Sequence, residues 1–236
     1  MQDALNAMDA ALVAQVPTKI AFVNADCVNI AARNADYRQD LAAMDWVFVD
    51  GIGMKIAGKL LNQPIRANVN GTDLFPLLCA DLARSRRSLF LLGAKPGVAQ
   101  AAAQWATQRF PELLIAGTQD GYFTEEQTAS VLAQIRSTQP DVILVAMGAP
   151  RQEAWINRHM NDTGATLALG VGGLFDYFSG NIPRAPMWMQ RSGLEWIFRL
   201  LQEPTRLWRR YLLGNWLFLA RILKDKIMMT FSKSKQ

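Results

Sequence analysis

The residues of this chain best suited to chemistry are carboxylates, amides and glycines that follow short apolar runs. Asp50-Gly51 comes directly after Val47-Phe48-Val49. A carboxylate at a strand's end, beside a glycine that lets a ligand approach the backbone, suits a general base. The same aspartate suits the N-cap of a following helix, the commoner duty of that residue type. The spacing leaves both readings open. Asn24-Ala25-Asp26 follows the first apolar run, and Asn68-Val69-Asn70-Gly71-Thr72-Asp73 stands before a helix-like stretch. Asp120-Gly121-Tyr122-Phe123 could stack a ring on a base or form a tight turn with a core tyrosine. The densest stretch is 141–186. There Asp141–Met147 empties into Gly148-Ala149-Pro150-Arg151-Gln152-Glu153, and Thr166–Val171 into Gly172-Gly173-Leu174-Phe175-Asp176, with Arg184-Ala185-Pro186 beyond.

The same inventory argues against several chemistries. His159 is the single histidine, and Cys27 and Cys79 are far apart, so the pattern holds no zinc cluster. No Asp-x-Asp pair offers to hold a divalent ion on a diphosphate. The lone histidine falls inside a helix-like segment, which argues against a serine or cysteine triad. Gly93-Ala94-Lys95-Pro96-Gly97 opens a helix whose amides suit phosphate. Its glycine spacing is neither the dinucleotide fingerprint nor a P-loop. A diphosphate leaving group would therefore depend on arginines, lysine and helix ends.

These groups need a frame, and the apolar runs supply one. Strands are expected near Lys19–Val23, Trp46–Val49, Ser88–Leu92, Leu113–Ala116, Asp141–Met147 and Thr166–Val171. Segments of helical length, such as Gly97–Phe110 and Thr124–Thr138, lie between them. The alternation predicts an α/β fold of βαβ units with right-handed crossovers, a mostly parallel sheet with helices on both faces. In such sheets ligands bind outside the carboxyl ends of the strands. With half of its 236 residues hydrophobic, the chain can bury a sizeable core. Two cysteines suggest a reducing compartment. Asp3 and Asp9 in place of a basic start argue against a signal peptide. No uninterrupted apolar run reaches the roughly 18 residues of a spanning helix.

Charge divides the chain. Residues 1–183 hold 14 Lys/Arg against 17 Asp/Glu, whereas 184–236 hold 11 against 3. Past Pro186 strand signals stop, and Trp188, Trp196, Trp208 and Trp216 alternate with arginines. We therefore expect a catalytic domain over 1–186 and a basic, helical carboxy-terminal appendage over 187–236, broken near Pro204 and Gly214. Leu201, Trp208, Leu212, Trp216, Leu219 and Leu223 form an apolar stripe beside a cationic face. Such a helix can lie on an anionic membrane, or pack on its own domain or on a partner subunit.

At Gly148–Trp155, Gly170–Asp176, Arg184–Pro186 and Arg206–Tyr211 the chain resembles the WecG/TagA/CpsF glycosyltransferases, glycosyltransferase family 26. The likeness runs from about Ala21 to about Leu219, with the motifs in order. It implies transfer of a sugar from a UDP-activated donor to a polyprenyl-diphosphate-linked sugar in the synthesis of bacterial surface polysaccharide. It also implies a Rossmann-like α/β domain with a carboxy-terminal appendage, working at the inner face of the plasma membrane with no metal and no cofactor. Carried over, Asp50 matches the catalytic base, which tips its reading from cap to base, and Asn24 matches the pocket asparagine after the first strand. Gln152 matches the pocket glutamine, and Gly121 and Tyr122 the step near the donor. Arg199, Arg206 and Arg209 match arginines that close on the diphosphate. Gly51, Asn68, Thr72, Asp73, Gly148 and Arg184 complete the expected substrate-binding set. Two positions depart from the better-studied members: Phe22 stands for a threonine and Asn68 for a pocket arginine.

The expected partners are thus a UDP-sugar, a lipid-diphosphate-linked acceptor and an anionic membrane surface, not nucleic acid. A homo-oligomer is compatible with the sequence. Two rival classes are a nicotinamide-dependent oxidoreductase and a non-catalytic anion-binding module. The first turn lacks Gly-x-Gly-x-x-Gly, which disfavours the oxidoreductase.

Overall fold

The computed structural model describes residues 1–65 and 67–233, the side chains of 231–233 excepted. Residues 234–236 of the expected appendage lie outside the described residues. The elements follow in the order α1 (Gln2–Val13), β1 (Thr18–Val23), α2 (Ala25–Ala31), α3 (Ala35–Ala42), β2 (Trp46–Val49), α4 (Ile52–Leu60), α5 (Gly71–Ser85) and β3 (Ser88–Gly93). Next come α6 (Val98–Arg109), β4 (Leu114–Gln119), α7 (Glu125–Thr138), β5 (Val142–Ala146), α8 (Arg151–Thr163), β6 (Leu167–Gly170) and α9 (Leu174–Phe178). The chain ends in α10 (Met187–Ser192), α11 (Glu195–Gln202), α12 (Pro204–Trp208), a π-helical turn (Arg209–Leu213) and α13 (Gly214–Lys233). It divides into two compact units. One comprises 1–22, 36–48 and 69–183; the other comprises 23–35, 49–68 and 184–236.

The first unit is built on a six-stranded parallel sheet of order β2-β1-β6-β5-β3-β4. Its two central strands, β6 and β5, are apolar and buried at every position because both faces are covered. Strand alternation sorts the side chains. Leu89, Leu91, Val142, Leu144, Leu167 and Leu169 join one cluster with α1, α5, α6 and α9. Phe90, Leu92, Ile143, Val145 and Ala168 join the other with α7 and α8. This is the expected α/β architecture with helices on both faces.

In this unit two elements differ from expectation. β4 runs three residues past the predicted end, to Gln119. It lies at the sheet edge, where polar Thr118 and Gln119 are tolerated, and its register against β3 shifts between Leu89 and Phe90. The amino-terminal helix α1 was not among the predicted elements. It buries Ala4, Leu5, Met8, Ala11 and Leu12 on one face.

The second unit joins the carboxy-terminal helices to α2 and α4. Ala57, Phe218 and Ile222 form its small core, with Ala25, Val28 and Met54 packed around them. The predicted break near Pro204 is present between α11 and α12. The one at Gly214 is not: Gly214 has helical angles, and the π-helical turn runs straight into α13. Loss of the glycine's propensity is offset by packing, since Asn29 donates to the Gly214 carbonyl at 2.7 Å. No helix among the described residues is long and apolar enough to cross a membrane.

Gly93 closes β3 at φ +126°, and a Cβ there would lie 2.5 Å from the Ala146 carbonyl oxygen. Backbone on the neighbouring strand cannot yield. Gly93→Ala should therefore cost about 3 kcal/mol or more, read as a lowered urea midpoint with unchanged slope.

Candidate active site

In the first unit, the sheet order itself marks a crevice. β3 connects through α6 to β4 on one side, while the adjacent β5 connects through α8 to β6 on the other. The carboxyl ends of β3 and β5 thus form a topological switch point, the place where open α/β sheets bind ligands. Ala94 after β3 donates to the Ala146 carbonyl at 2.8 Å, and Gly121 donates to the Ala94 carbonyl at 3.0 Å. A Cβ on Gly121 would come within 3.2 Å of Gly93 Cα, so the Gly121-Tyr122 step is pressed against the β3 loop. Asp120 Oδ1 accepts from the Tyr122 amide at 2.8 Å and leaves the Tyr122 side chain 69 % exposed. The structure thereby excludes the core-tyrosine reading.

Gln152 sits at the start of α8 and is buried. Its Oε1 accepts from the Gly148 amide at 3.1 Å and from the Gly172 amide at 2.8 Å, tying the loops after β5 and β6 together. Both glycines have positive φ, which turns their amides onto that oxygen. Its Nε2 donates to Glu153 Oε1 at 2.8 Å. Burial raises the Glu153 carboxyl above its ordinary range, with the Asp40 carboxylate acting in the same direction. Asp73 lies in the first turn of α5, where it exchanges hydrogen bonds with the N-cap Asn70 at 2.7 Å each way. Thr72 beside it is half-buried.

In the second unit, Asn24 caps α2: its Oδ1 accepts from the Asp26 and Cys27 amides at 3.0 and 3.2 Å. Asp50 follows β2, and its amide donates to the Val23 carbonyl at 2.9 Å. The N-cap of α4 falls on Gly51, at φ +94°, not on Asp50. The cap position thus falls on a residue without a side chain to accept from the first turn, and Asp50 stands one residue ahead of it. Asn68 Oδ1 accepts from the Gly51 amide at 2.8 Å, so the amide that stands for an arginine holds the Asp50-Gly51 loop.

The appendage arginines meet carboxylates of the same unit. Glu203 faces both Arg199, at 3.8 Å, and Arg206; Arg184 faces Glu195 at 3.6 Å. Arg209 lies 5.2 Å over the Trp208 ring. Arg210, which the sequence left outside the site, pairs with Asp26 at 3.1 Å. Among the described residues no group of three or more His, Cys, Asp or Glu side chains could hold a metal ion. Sequence reasoning also passed over Asn29 and Glu203. The Arg199-Glu203-Arg206 spacing at i+4 and i+3 was the available signal for the second; none existed for the first, whose partner is 185 residues away.

The Asn68 tie is testable by hydrogen exchange. Asn68→Ala should speed exchange of the Gly51 amide severalfold, as loss of a hydrogen bond worth about 1 kcal/mol requires. Asn68→Asp, which keeps an acceptor, should preserve the protection.

Comparison with known proteins agrees with this frame. The Glycosyl transferase WecG/TagA/CpsF family pattern matches residues 1–231. The chain is 34 % identical over 212 residues to a protein of Bacillus subtilis (strain 168), covering 90 % of this chain and 82 % of the relative. It is 36 % identical over 182 residues to one of Bacillus spizizenii, covering 77 % and 70 %. Both relatives are named N-acetylglucosaminyldiphosphoundecaprenol N-acetyl-beta-D-mannosaminyltransferase. With a family match along nearly its whole length, the chain belongs to the WecG/TagA/CpsF glycosyltransferase family and is a hexosyltransferase.

Proposed function

We propose that this enzyme transfers a hexose of the N-acetylmannosamine type from a UDP-sugar to a polyprenyl-diphosphate-linked saccharide, with inversion and without a metal. The relatives' names support the sugar and the lipid-linked acceptor. The observation that carries the mechanism is the place of Asp50: a carboxylate directly after the end of β2, in a loop whose next amide, that of Gly51, donates to Asn68.

In this reading the Asp50 carboxylate takes the proton of the acceptor hydroxyl. The freed oxygen bonds to the anomeric carbon as the bond from that carbon to the UDP oxygen breaks. A single in-line displacement inverts the centre. Asn24 keeps its capping oxygen occupied and offers amide hydrogens to a sugar hydroxyl. The nucleotide takes the crevice between β3 and β5, where Gly121, Tyr122 and Gly148 line the rim. Gln152 holds that rim and contributes one amide hydrogen to the sugar. Thr72 and Asp73 serve the same end through the first turn of α5. Gly51 keeps the approach to Asp50 open, and Arg184, Arg199, Arg206 and Arg209 supply the positive charge that departing UDP requires.

The appendage further supports a membrane role at the inner face of the plasma membrane. At 100° per residue, Trp216, Leu223 and Ile227 fall within about 40° of one another on α13. All three are exposed. Lys224 and Lys226, also exposed, flank that stripe about 80° to either side, while Asp225 lies opposite. Apolar residues bordered by lysines suit an anionic bilayer surface.

Two experiments test these proposals. Asp50→Asn should lower turnover by a factor of about 10² to 10⁴ while UDP still raises the melting temperature as in the parent. Near-normal turnover would remove Asp50 as base, and a shift with NAD instead of UDP would favour the oxidoreductase. Trp216→Glu combined with Leu223→Glu should abolish co-sedimentation with phosphatidylglycerol vesicles at an unchanged melting temperature. Undiminished vesicle binding would make the exposed stripe a surface for something other than lipid.

A further inference from the structure

Glu153 is fully buried, and among the described residues only one of its two carboxyl oxygens has a hydrogen-bond partner. Oε1 accepts from Gln152 Nε2 at 2.8 Å, while Oε2 is buried with none among them. A carboxyl in that position is costly, and an apolar side chain of similar size would suit the surroundings better. What it touches gives the reason. Both acceptor sites of Gln152 Oε1 are taken by the amides of Gly148 and Gly172. The nitrogen end is packed over Gly170, where a Cβ would lie 2.9 Å from Nε2. An amide side chain has two nitrogen-bound hydrogens. One goes to Glu153, so a single hydrogen remains.

We propose that Glu153 is a positioning residue for the transfer reaction. By accepting from Nε2 it fixes the Gln152 amide against rotation, with its oxygen on the two rim loops and one hydrogen kept for a hydroxyl of the donor sugar. The inference rests on the reading that Gln152 contacts the donor. Glu153 itself touches no substrate; it acts through Gln152. A neutral acceptor is enough for this task, and burial already favours the uncharged carboxyl.

Variants at Glu153 and Gln152 separate the roles, each measured for donor KM and kcat with UDP-N-acetylmannosamine and for melting temperature. Glu153→Gln keeps an acceptor oxygen and should hold donor KM within about twofold of the parent. Glu153→Leu removes it and should raise donor KM about tenfold with a smaller change in kcat, at a melting temperature equal to or above the parent's. Exchange at the Gly148 and Gly172 amides should rise in the leucine variant and not in the glutamine variant. Should Glu153→Leu fail to fold, Glu153→Met carries the same expectations. Unchanged donor KM and amide exchange in the apolar variant would overturn the proposal. So would an equal rise in the glutamine variant, which would point to charge instead of hydrogen bonding. Gln152→Ala tests the underlying reading separately. If it leaves donor KM unchanged, Gln152 does not touch the donor, and the amide-exchange comparison still decides whether Glu153 holds the rim.

Discussion

Burial of a parallel sheet on both faces is the constraint from which the rest of this structure follows. Every residue of β5 and β6 is buried, and strand alternation hands successive side chains to opposite apolar clusters. A polar group within such a strand would have no partner. Chemistry is thereby pushed past the strand ends, and the loops there must be held by something other than the sheet ladder. Gln152 meets that need for β5 and β6, Asn68 for the loop after β2, and the Ala94–Ala146 and Gly121–Ala94 backbone bonds for the loops after β3 and β4.

Much of the polar material at these ends therefore serves the backbone. Asn24, Asn70 and Asp120 each place an oxygen on a backbone amide of a following turn. At α4 the cap position falls on Gly51, one residue after Asp50. Distinguishing a residue that holds a loop from one that faces a ligand thus depends on which lone pairs are already occupied. Gln152 shows how one amide group divides its work, its oxygen tying two loops together while its nitrogen donates to Glu153.

The strands were legible because two-sided burial leaves unbroken apolar runs such as Val142–Ala146, and the strand-end residues were legible because polar residues and glycines follow those runs at once. What the sequence could not supply was pairing at a distance. Asn29 finds Gly214, Asn68 finds Gly51, and Asp26 finds Arg210 only after the chain has folded. Likewise β4 read short because an edge strand tolerates Gly117, Thr118 and Gln119, which look like a turn when taken alone. Gly214 read as a break because propensity is a local quantity and a buried asparagine is not.

Helix α13 shows the same limit in a sharper form. Its apolar residues occupy two faces. Phe218 and Ile222 lie 200–240° around from Trp216, on the side covered by α2 and α4. Periodicity detects an apolar stripe but not which of its residues will be covered: of the stripe read from the sequence, Trp216 and Leu223 are exposed, whereas Leu219 packs against the small core of Ala57, Phe218 and Ile222. Trp216 is 75 % exposed while Phe218 is 1 %. A helix anchored by one face can leave the other open to solvent, which is why exposure cannot be read from periodicity alone.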